Sequence, residues 1–186
     1  MDKQKEILNA ALKLFVEFGF HGTPTSKIAK EAGVANGTLF HYYPTKEALI
    51  LALYKDIKLQ LTEYMYSRVN AGDSLEQAFR SIFLNTLDWA QDHKEEYYFV
   101  QQFNMSPFLS LIPKEEITRQ AKPHLDMIQA GIKNKILKPL PNEFIYSLIS
   151  SHIYGLSQYL SASDLSPQKQ KKLISDSYDM IWDMIT

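Results

Sequence analysis

The sequence contains no cysteine, and this absence excludes disulfide scaffolds, thiolate zinc sites and cysteine nucleophiles. No apolar run approaches the roughly 18 to 20 residues that a membrane-spanning helix needs, and the charged N-terminus does not resemble a signal peptide. The net charge of the whole chain is only −1, which excludes a polybasic protein. We therefore expect a soluble cytoplasmic protein in which any site for a polyanion is confined to one region.

Glycine and proline are also few, and they fall at a small number of places. Between them the apolar residues recur at helical spacing and never alternate as in a strand, so the pattern predicts an all-α fold of about nine helices. The first apolar stripe, which includes Ile7 and Phe18, stops at Gly19. Further on, Thr45 is expected to cap a long helix, Asp73 and Glu76 to form a capping box, and Pro123 to kink or split a helix.

Two short predicted helices, over residues 25–32 and 36–42, stand between two longer amphipathic ones. Each is too short to be stable alone, and Gly33 lies in the turn between them, where a left-handed conformation is easily adopted. This arrangement is typical of a helix-turn-helix unit, in which the first helix supports a second that enters the major groove of DNA. A chance pattern of this length in a helical bundle is the alternative.

The residues of this segment resemble the tetracycline-repressor (TetR/AcrR) family of bacterial transcription regulators. The resemblance covers residues 7 to 55 and is carried by the following residues: Gly19, Thr23, Ile28-Ala29, Ala32-Gly33-Val34, Gly37-Thr38-Leu39, Tyr42-Tyr43, Lys46-Glu47 and Leu49. It implies a three-helix helix-turn-helix domain over residues 1–46 and a helical ligand-binding and dimerisation domain over residues 47–186. Neither catalytic activity nor a cofactor is expected.

The resemblance further implies which residues meet DNA. Thr25 would contact phosphate at the start of the second helix, and Lys46 would grip phosphate at the start of the fourth. The residues expected at the major groove or its walls are Asn36, Gly37, Thr38, His41 and Tyr42. The sequence departs from the family pattern at two places. At Ala35-Asn36 the residues differ from the family's, and the helix cap is expected at Asn36. Phe40 stands where a tyrosine is common.

Arginine is absent from residues 1–60, which carry eight lysines and six acidic residues, a local net charge of +2, while the rest of the chain carries −3. The bidentate contact of arginine to guanine is therefore excluded in this region. We expect base reading by Asn36, Thr38, Lys27 and His41. For Lys30 a solvated position is the preferred interpretation, and His21 is expected on the surface.

Aromatic residues are concentrated between residues 89 and 108. A packed helical core should account for at least half of them, and the alternative is an apolar pocket with a few polar side chains, among them Gln101, Gln102 and Asn104. The resemblance implies a small effector, here lipophilic or aromatic. The candidate ligand-binding residues are Trp89, Tyr98, Phe103, Met105, Phe108, His124, Met127 and Tyr154.

The last two predicted helices carry long apolar faces, and Gly155 would allow a partner helix to approach closely. These faces could be used inside the monomer, but the resemblance implies a four-helix bundle between two subunits. The candidate homodimer residues are Ile149, His152, Ile153, Leu156, Tyr159, Ile174, Tyr178 and Ile181.

No catalytic or metal site is expected. The histidines have no helical pairing with one another. The residues Asp88, Asp92, His93, Glu95 and Glu96 are interpreted first as a solvated helix face and only second as a metal cluster.

Taken together, these features predict a homodimeric repressor that is released from a palindromic operator by a small inducer. The alternative is a helical ligand-binding or enzymatic protein that retains the motif without DNA binding.

Overall fold

The computed structural model describes residues 2–186, and all regular structure in that range is helical. Nine α-helices and one 3-10 helix occur in the following order: α1 (Lys3–Gly22), α2 (Thr25–Glu31), α3 (Asn36–Tyr42), α4 (Lys46–Tyr66), α5 (Leu75–Asp92), α6 (Lys94–Asn104), the 3-10 helix (Pro107–Leu111), α7 (Lys114–Lys133), α8 (Asn142–Ala162) and α9 (Pro167–Ile185). The predicted all-α class is confirmed. Within residues 2–186 no helix is both long enough and apolar enough to span a membrane.

The chain forms two compact units. Unit 1 comprises residues 2–62 and 93–112, so α6 and the 3-10 helix belong with α1 to α3 and most of α4. Its core contains a chain of aromatic rings from α1 to the 3-10 helix, in which Phe20 lies 5.6 Å from Phe99 and 5.2 Å from Phe108 between ring centroids. Because these contacts join α6 to α1, the compact unit does not end at the predicted domain boundary after residue 46.

Unit 2 comprises residues 63–92 and 113–186, with α5, α7, α8 and α9 around one apolar core. Phe83 and Leu87 of α5 meet Ile145 and Leu160 of α8 in this core. The C-terminal part of α4 belongs to unit 2, because the division between the units falls within that helix, after Thr62.

Several predicted helix boundaries hold and others move. Gly19 adopts φ 71° and breaks the helical geometry of α1, and Thr45 caps α4 by accepting a hydrogen bond from the Ala48 amide at 3.0 Å. Thr25 and Asn36 do not cap their helices, because each is already the first helical residue. Pro123 lies inside α7 without splitting it, and that helix ends at Lys133.

The capping box of α5 is one residue away from its predicted place. The Gln77 amide donates to the Ser74 hydroxyl at 3.2 Å, and the Ser74 amide donates to Gln77 Oε1 at 2.8 Å. This exchange is the reciprocal pattern of a capping box. Asp73 instead accepts a hydrogen bond from the Asn70 amide at 2.8 Å.

Candidate nucleic-acid interface and effector site

The turn between α2 and α3 is held by its own backbone. The Gly33 residue has φ 66°, and the Val34 amide donates to the Ala29 carbonyl at 3.0 Å. Ile28 and Ala29 of α2 are buried, as is Leu39 of α3, so apolar contacts fix the angle between the two short helices. A rigid turn of this kind positions α3 as one piece, which direct base contacts require.

The outward face of α3 carries polar side chains and no acid. Asn36, Gly37 and His41 are exposed, whereas Thr38 is half-buried. No acidic residue occurs between Glu31 and Glu47, so α3 itself carries no side chain that repels phosphate. Gly37 has open space where a Cβ would stand, which lets a ligand approach the backbone closely.

Phe40 belongs to this outward face, although the sequence pattern does not mark it as a contact residue. Its side chain is 41% exposed. Its position four residues after Asn36 places both side chains on the same side of the helix. The helical spacing could have revealed this, because Leu39 and Tyr43 already occupy the inward face.

The candidate phosphate-binding residues surround α3 in the sequence. Lys46 is half-buried at the start of α4, and burial lowers the pKa of its ammonium group while Glu47 raises it. Tyr42 is 40% exposed, and its ring lies 5.4 Å from that of His41. Thr25 is the first residue of α2 and is partly exposed, so its hydroxyl and backbone amide are accessible at a helix N-terminus.

Lys27 has an intramolecular contact that the sequence does not suggest. Its Nζ lies 3.3 Å from the centroid of the Phe18 ring of α1, in a cation–π geometry. The lysine remains exposed, so this contact orients the ammonium group without removing it from the surface. A base contact by Lys27 would therefore compete with Phe18.

Thr23 has a structural role beneath the candidate interface. It is fully buried, and its hydroxyl donates to the carbonyls of Leu14 at 3.0 Å and Gly19 at 2.8 Å. These bonds tie the segment that precedes α2 to the point where α1 bends. The threonine thus positions α2 rather than contacting a ligand.

The candidate ligand-binding residues are divided between the two compact units. Trp89, His124, Met127 and Tyr154 belong to unit 2, whereas Tyr98, Phe103, Met105 and Phe108 belong to unit 1. Trp89 and Phe103 are sealed in core. Tyr98 and Met105 are exposed, because Tyr97, Val100 and Phe103 occupy the inward face of α6, and this exposure contradicts their expected position in a pocket.

Within unit 2, His124 stands between two tyrosine rings. The Tyr66 hydroxyl lies 2.8 Å from His124 Nδ1, and the ring centroids of Tyr66 and Tyr146 lie 5.4 Å and 5.5 Å from that of His124. Burial raises the pKa of Tyr66 to about 12, so its hydroxyl stays protonated at neutral pH. This stack connects the end of α4 to α7 and α8, and the sequence pattern indicates only its histidine.

Most of the candidate dimer residues lie inside unit 2. Ile153, Leu156, Ile174, Tyr178 and Ile181 are core residues, which contradicts their placement on a surface for a partner. Ile149 also packs against this core, and His152 Nε2 lies 2.7 Å from the Ser177 hydroxyl. Tyr159 is exposed, as are Phe144 of α8 and Met180 and Met184 of α9. The apolar stripes of the sequence face inward, since they hold α5, α8 and α9 together.

The helix-turn-helix arrangement and the acid-free face of α3 define a DNA-binding protein. Residues 7–53 match the family model described as bacterial regulatory proteins, tetR family, and residues 54–186 match the model described as tetracyclin repressor-like, C-terminal domain. The chain therefore belongs to the TetR family of transcriptional regulators. Its relatives are regulators and not enzymes, so the alternative of an enzyme that retains the motif is not supported.

Individual relatives agree with this assignment. The HTH-type transcriptional regulator RutR of Escherichia coli K12 is 51% identical over 55 residues, which are 30% of this chain and 26% of that protein. The uncharacterized HTH-type transcriptional regulator YuxN of Bacillus subtilis is 31% identical, over 96% of this chain and 62% of its own length. A solved structure from Shewanella sp. PV-4, assigned to the same family, has a TM-score of 0.90 and 28% identity, and the match covers 100% of this chain and 98% of that one.

Proposed function

We propose that the chain is a homodimeric, ligand-responsive repressor that binds a palindromic operator in the cytoplasm and is released from it by a small lipophilic or aromatic inducer. The observation that carries this proposal is the exposed, acid-free face of α3 in a chain of the TetR family. A DNA-binding element of this kind needs a second copy to read two half-sites of a palindrome.

The proposed contacts divide into two groups. Asn36, Thr38, Lys27 and His41 read base edges, and an asparagine is suited to adenine while a threonine methyl is suited to the methyl group of thymine. The phosphate backbone is held by Thr25, Tyr42 and Lys46 and through the close approach that Gly37 permits. The exposure of Phe40 supports an additional apolar contact, for which a thymine methyl is the natural partner.

Dimerisation is assigned to the outward faces of α8 and α9. On α8, Phe144, Gly155 and Tyr159 are exposed and follow one another at helical spacing, and a Cβ at Gly155 would meet no other atom. On α9, Met180 and Met184 are exposed and four residues apart. Exposed apolar side chains on both helices, with a glycine at the approach point, fit a four-helix bundle between subunits. Of the eight candidate residues, Tyr159 has the exposure that such an interface requires.

The effector is assigned to unit 2, near the Tyr66–His124–Tyr146 stack. Met127 and Tyr154 are partly buried and supply further apolar and polar surface on α7 and α8. An effector that favours another arrangement of this stack would displace the end of α4 and shift the population of the DNA-binding conformation. Tyr66 belongs to the same helix as the candidate phosphate contact Lys46.

Selection of binding sites from random duplex DNA tests the proposal. The full chain should retain palindromic sites whose half-sites lie about 34–36 Å apart or a multiple of that distance. Asn36→Ala should reduce the ratio of specific to nonspecific affinity by about tenfold or more, because it removes one bidentate base contact per subunit. Asn9→Ala removes an exposed asparagine of α1 and serves as the matched control. Retention without sequence preference at two salt concentrations would contradict the proposal.

A further inference from the structure

A cavity of about 600 Å³ lies within unit 1 and is lined by α1, α4 and the start of α6. Its volume falls in the range of about 300–1,000 Å³ that small-molecule sites in proteins occupy. All of its lining residues belong to unit 1, whereas the Tyr66–His124–Tyr146 stack belongs to unit 2. None of the candidate DNA-contact residues lines it. The cavity is therefore a candidate site of its own.

The buried part of the lining is apolar. Leu12 of α1 is buried, as are Leu53 and Ile57 of α4, and Leu8 is half-buried. The polar residues of the lining are exposed or half-buried, so they surround this apolar part on its solvent side. A ligand that fits both parts needs an apolar body and polar groups at its ends.

The polar part of the lining is acidic. It contains three carboxylates, those of Asp2, Asp56 and Glu96, and only one lysine, Lys5. Asp2 precedes α1, Asp56 lies in α4, and Glu96 lies in the first turn of α6. Within residues 2–186 none of these carboxylates takes part in an ion pair. The cavity thus carries an excess of negative charge that no side chain of the described range neutralises by contact.

A buried hydroxyl without a partner lies near the same carboxylates. Tyr43 is only 4% exposed, and no group in residues 2–186 completes a hydrogen bond with its hydroxyl. Burial raises the pKa of Tyr43, the nearby Gln4 side chain lowers it, and the carboxylates of Asp56 and Asp2 raise it further. The hydroxyl is therefore close to three residues that line the cavity. A buried polar atom without a partner is uncommon, and a bound ligand is one explanation for it.

The positions of the carboxylates favour a cation with separated charges. In the part of the chain that the structure describes, no three acidic or histidine side chains are arranged to hold one metal ion. An aliphatic chain with several ammonium groups matches the cavity better, because each ammonium can pair with a different carboxylate while the methylene groups cover the apolar residues. The side-chain amide oxygens of Gln4, Asn9 and Gln60 can accept further hydrogen bonds from the ammonium groups.

We propose that this cavity binds an aliphatic diamine or polyamine, which is held by the carboxylates of Asp2, Asp56 and Glu96 and by the hydroxyl of Tyr43. The site is independent of the inducer and of the operator proposed above. A bound dication neutralises the negative charge of the lining and so makes unit 1, the unit that carries α3, more positive.

Two probes of the same length test the proposal by calorimetric titration of the full chain at low salt, where charge pairs are least screened. Diaminooctane carries an ammonium group at each end at neutral pH, and octanediol carries a neutral hydroxyl group at the same places. Diaminooctane should bind the wild type about tenfold or more tightly than octanediol, because each of its ends pairs with a carboxylate.

Variants then assign this preference to the cavity. Asp56→Asn/Glu96→Gln removes two charges at nearly constant side-chain size, and it should weaken diaminooctane about tenfold and leave octanediol within about twofold. Tyr43→Phe should weaken diaminooctane about threefold, because the hydroxyl loses the partner that it gains in the complex. The matched control Glu17→Gln/Glu95→Gln removes two exposed carboxylates of unit 1 that do not line the cavity, and it should change neither affinity.

Circular dichroism checks the folding of each variant, and the two single variants provide the result if Asp56→Asn/Glu96→Gln does not fold. Equal affinity of the wild type for the two probes would overturn the proposal. So would a preference that survives Asp56→Asn/Glu96→Gln, or an equal loss in the Glu17→Gln/Glu95→Gln control, which would indicate general attraction to an acidic surface. Unchanged binding by Tyr43→Phe would contradict the contact assigned to this hydroxyl. The titration contains no DNA, so its outcome is separate from that of the operator experiment.

Discussion

The two compact units present outward faces of opposite chemistry. On α3 of unit 1 the exposed residues include Asn36, Gly37 and His41, and no acid lies between Glu31 and Glu47. On α9 of unit 2 the exposed residues include Met180 and Met184. A polar face without acids suits a polyanion, whereas a face of exposed methionines costs solvation until another apolar surface covers it. The difference indicates two partners, a nucleic acid for α3 and a protein surface for α8 and α9.

The strongest test of this comparison is to charge the apolar face. Met180→Glu/Met184→Glu should weaken the dimer about 100-fold or more, because each carboxylate would lose hydration in the interface. Sedimentation velocity over a range of concentrations measures the change. Operator affinity should fall as well, since one subunit reads only one half-site.

A matched control makes the same change in net charge at another place on α9. Lys169→Gln/Lys171→Gln alters exposed residues at the start of α9, makes the net charge more negative by two as the methionine variant does, and should leave the dimer intact. If the methionine variant sediments as the wild type does, α9 does not form the interface and the assignment of its outward face fails.

The inward face of α8 should respond in a different way. Leu156 is a core residue, so Leu156→Ala should lower the free energy of unfolding by about 3 kcal/mol, because apolar packing is removed and a cavity remains. Urea unfolding in the monomeric Met180→Glu/Met184→Glu background separates this loss from dimerisation. Tyr159→Ala in that background should cost less than about 1 kcal/mol, since Tyr159 is 56% exposed. Equal losses for the two variants would refute the assignment of inward and outward residues.

The inward placement of Leu156 shows where sequence patterns stop being informative. Gly33 and Thr45 follow rules that act within a few residues, namely a left-handed turn and a cap, and the structure places them as expected. An apolar stripe, by contrast, indicates only that one face of the helix is buried. Whether its own chain or a second copy buries that face depends on residues far away in the sequence. Here Phe83 of α5 lies in the same core as the apolar residues of α8 and α9.

A smaller miss has the same physical origin. Both Asp73 with Glu76 and Ser74 with Gln77 have the spacing of a capping box, and only the actual start of α5 decides between them.

On the DNA-binding face, the salt dependence of binding distinguishes a phosphate contact from a solvated lysine. Lys46→Ala should weaken operator and nonspecific DNA alike and reduce the slope of log affinity against log salt by about 0.9 for each phosphate that is no longer neutralised. Fluorescence anisotropy at several salt concentrations measures both quantities. Lys30→Ala, at an exposed lysine of α2, should leave the slope unchanged. An unchanged slope for Lys46→Ala would remove this residue from the interface.

The smallest expected effect concerns how unit 2 responds to alkaline pH. Burial raises the pKa of Tyr66 to about 12 from its ordinary value of 10.0, so the unfolded chain loses this proton first. The corresponding stability is complete below pH 10 and is lost as the pH rises from 10 towards 12. In the wild type the urea midpoint should therefore decline between about pH 9.5 and 11, and Tyr66→Phe should make this decline shallower. Tyr98→Phe, at an exposed residue of α6, should leave the decline as in the wild type. At neutral pH the same Tyr66→Phe change should cost about 1 kcal/mol, because it removes the hydrogen bond to His124. A decline as steep as that of the wild type would mean that Tyr66 is not shielded from water by the stack that joins α4 to α7 and α8.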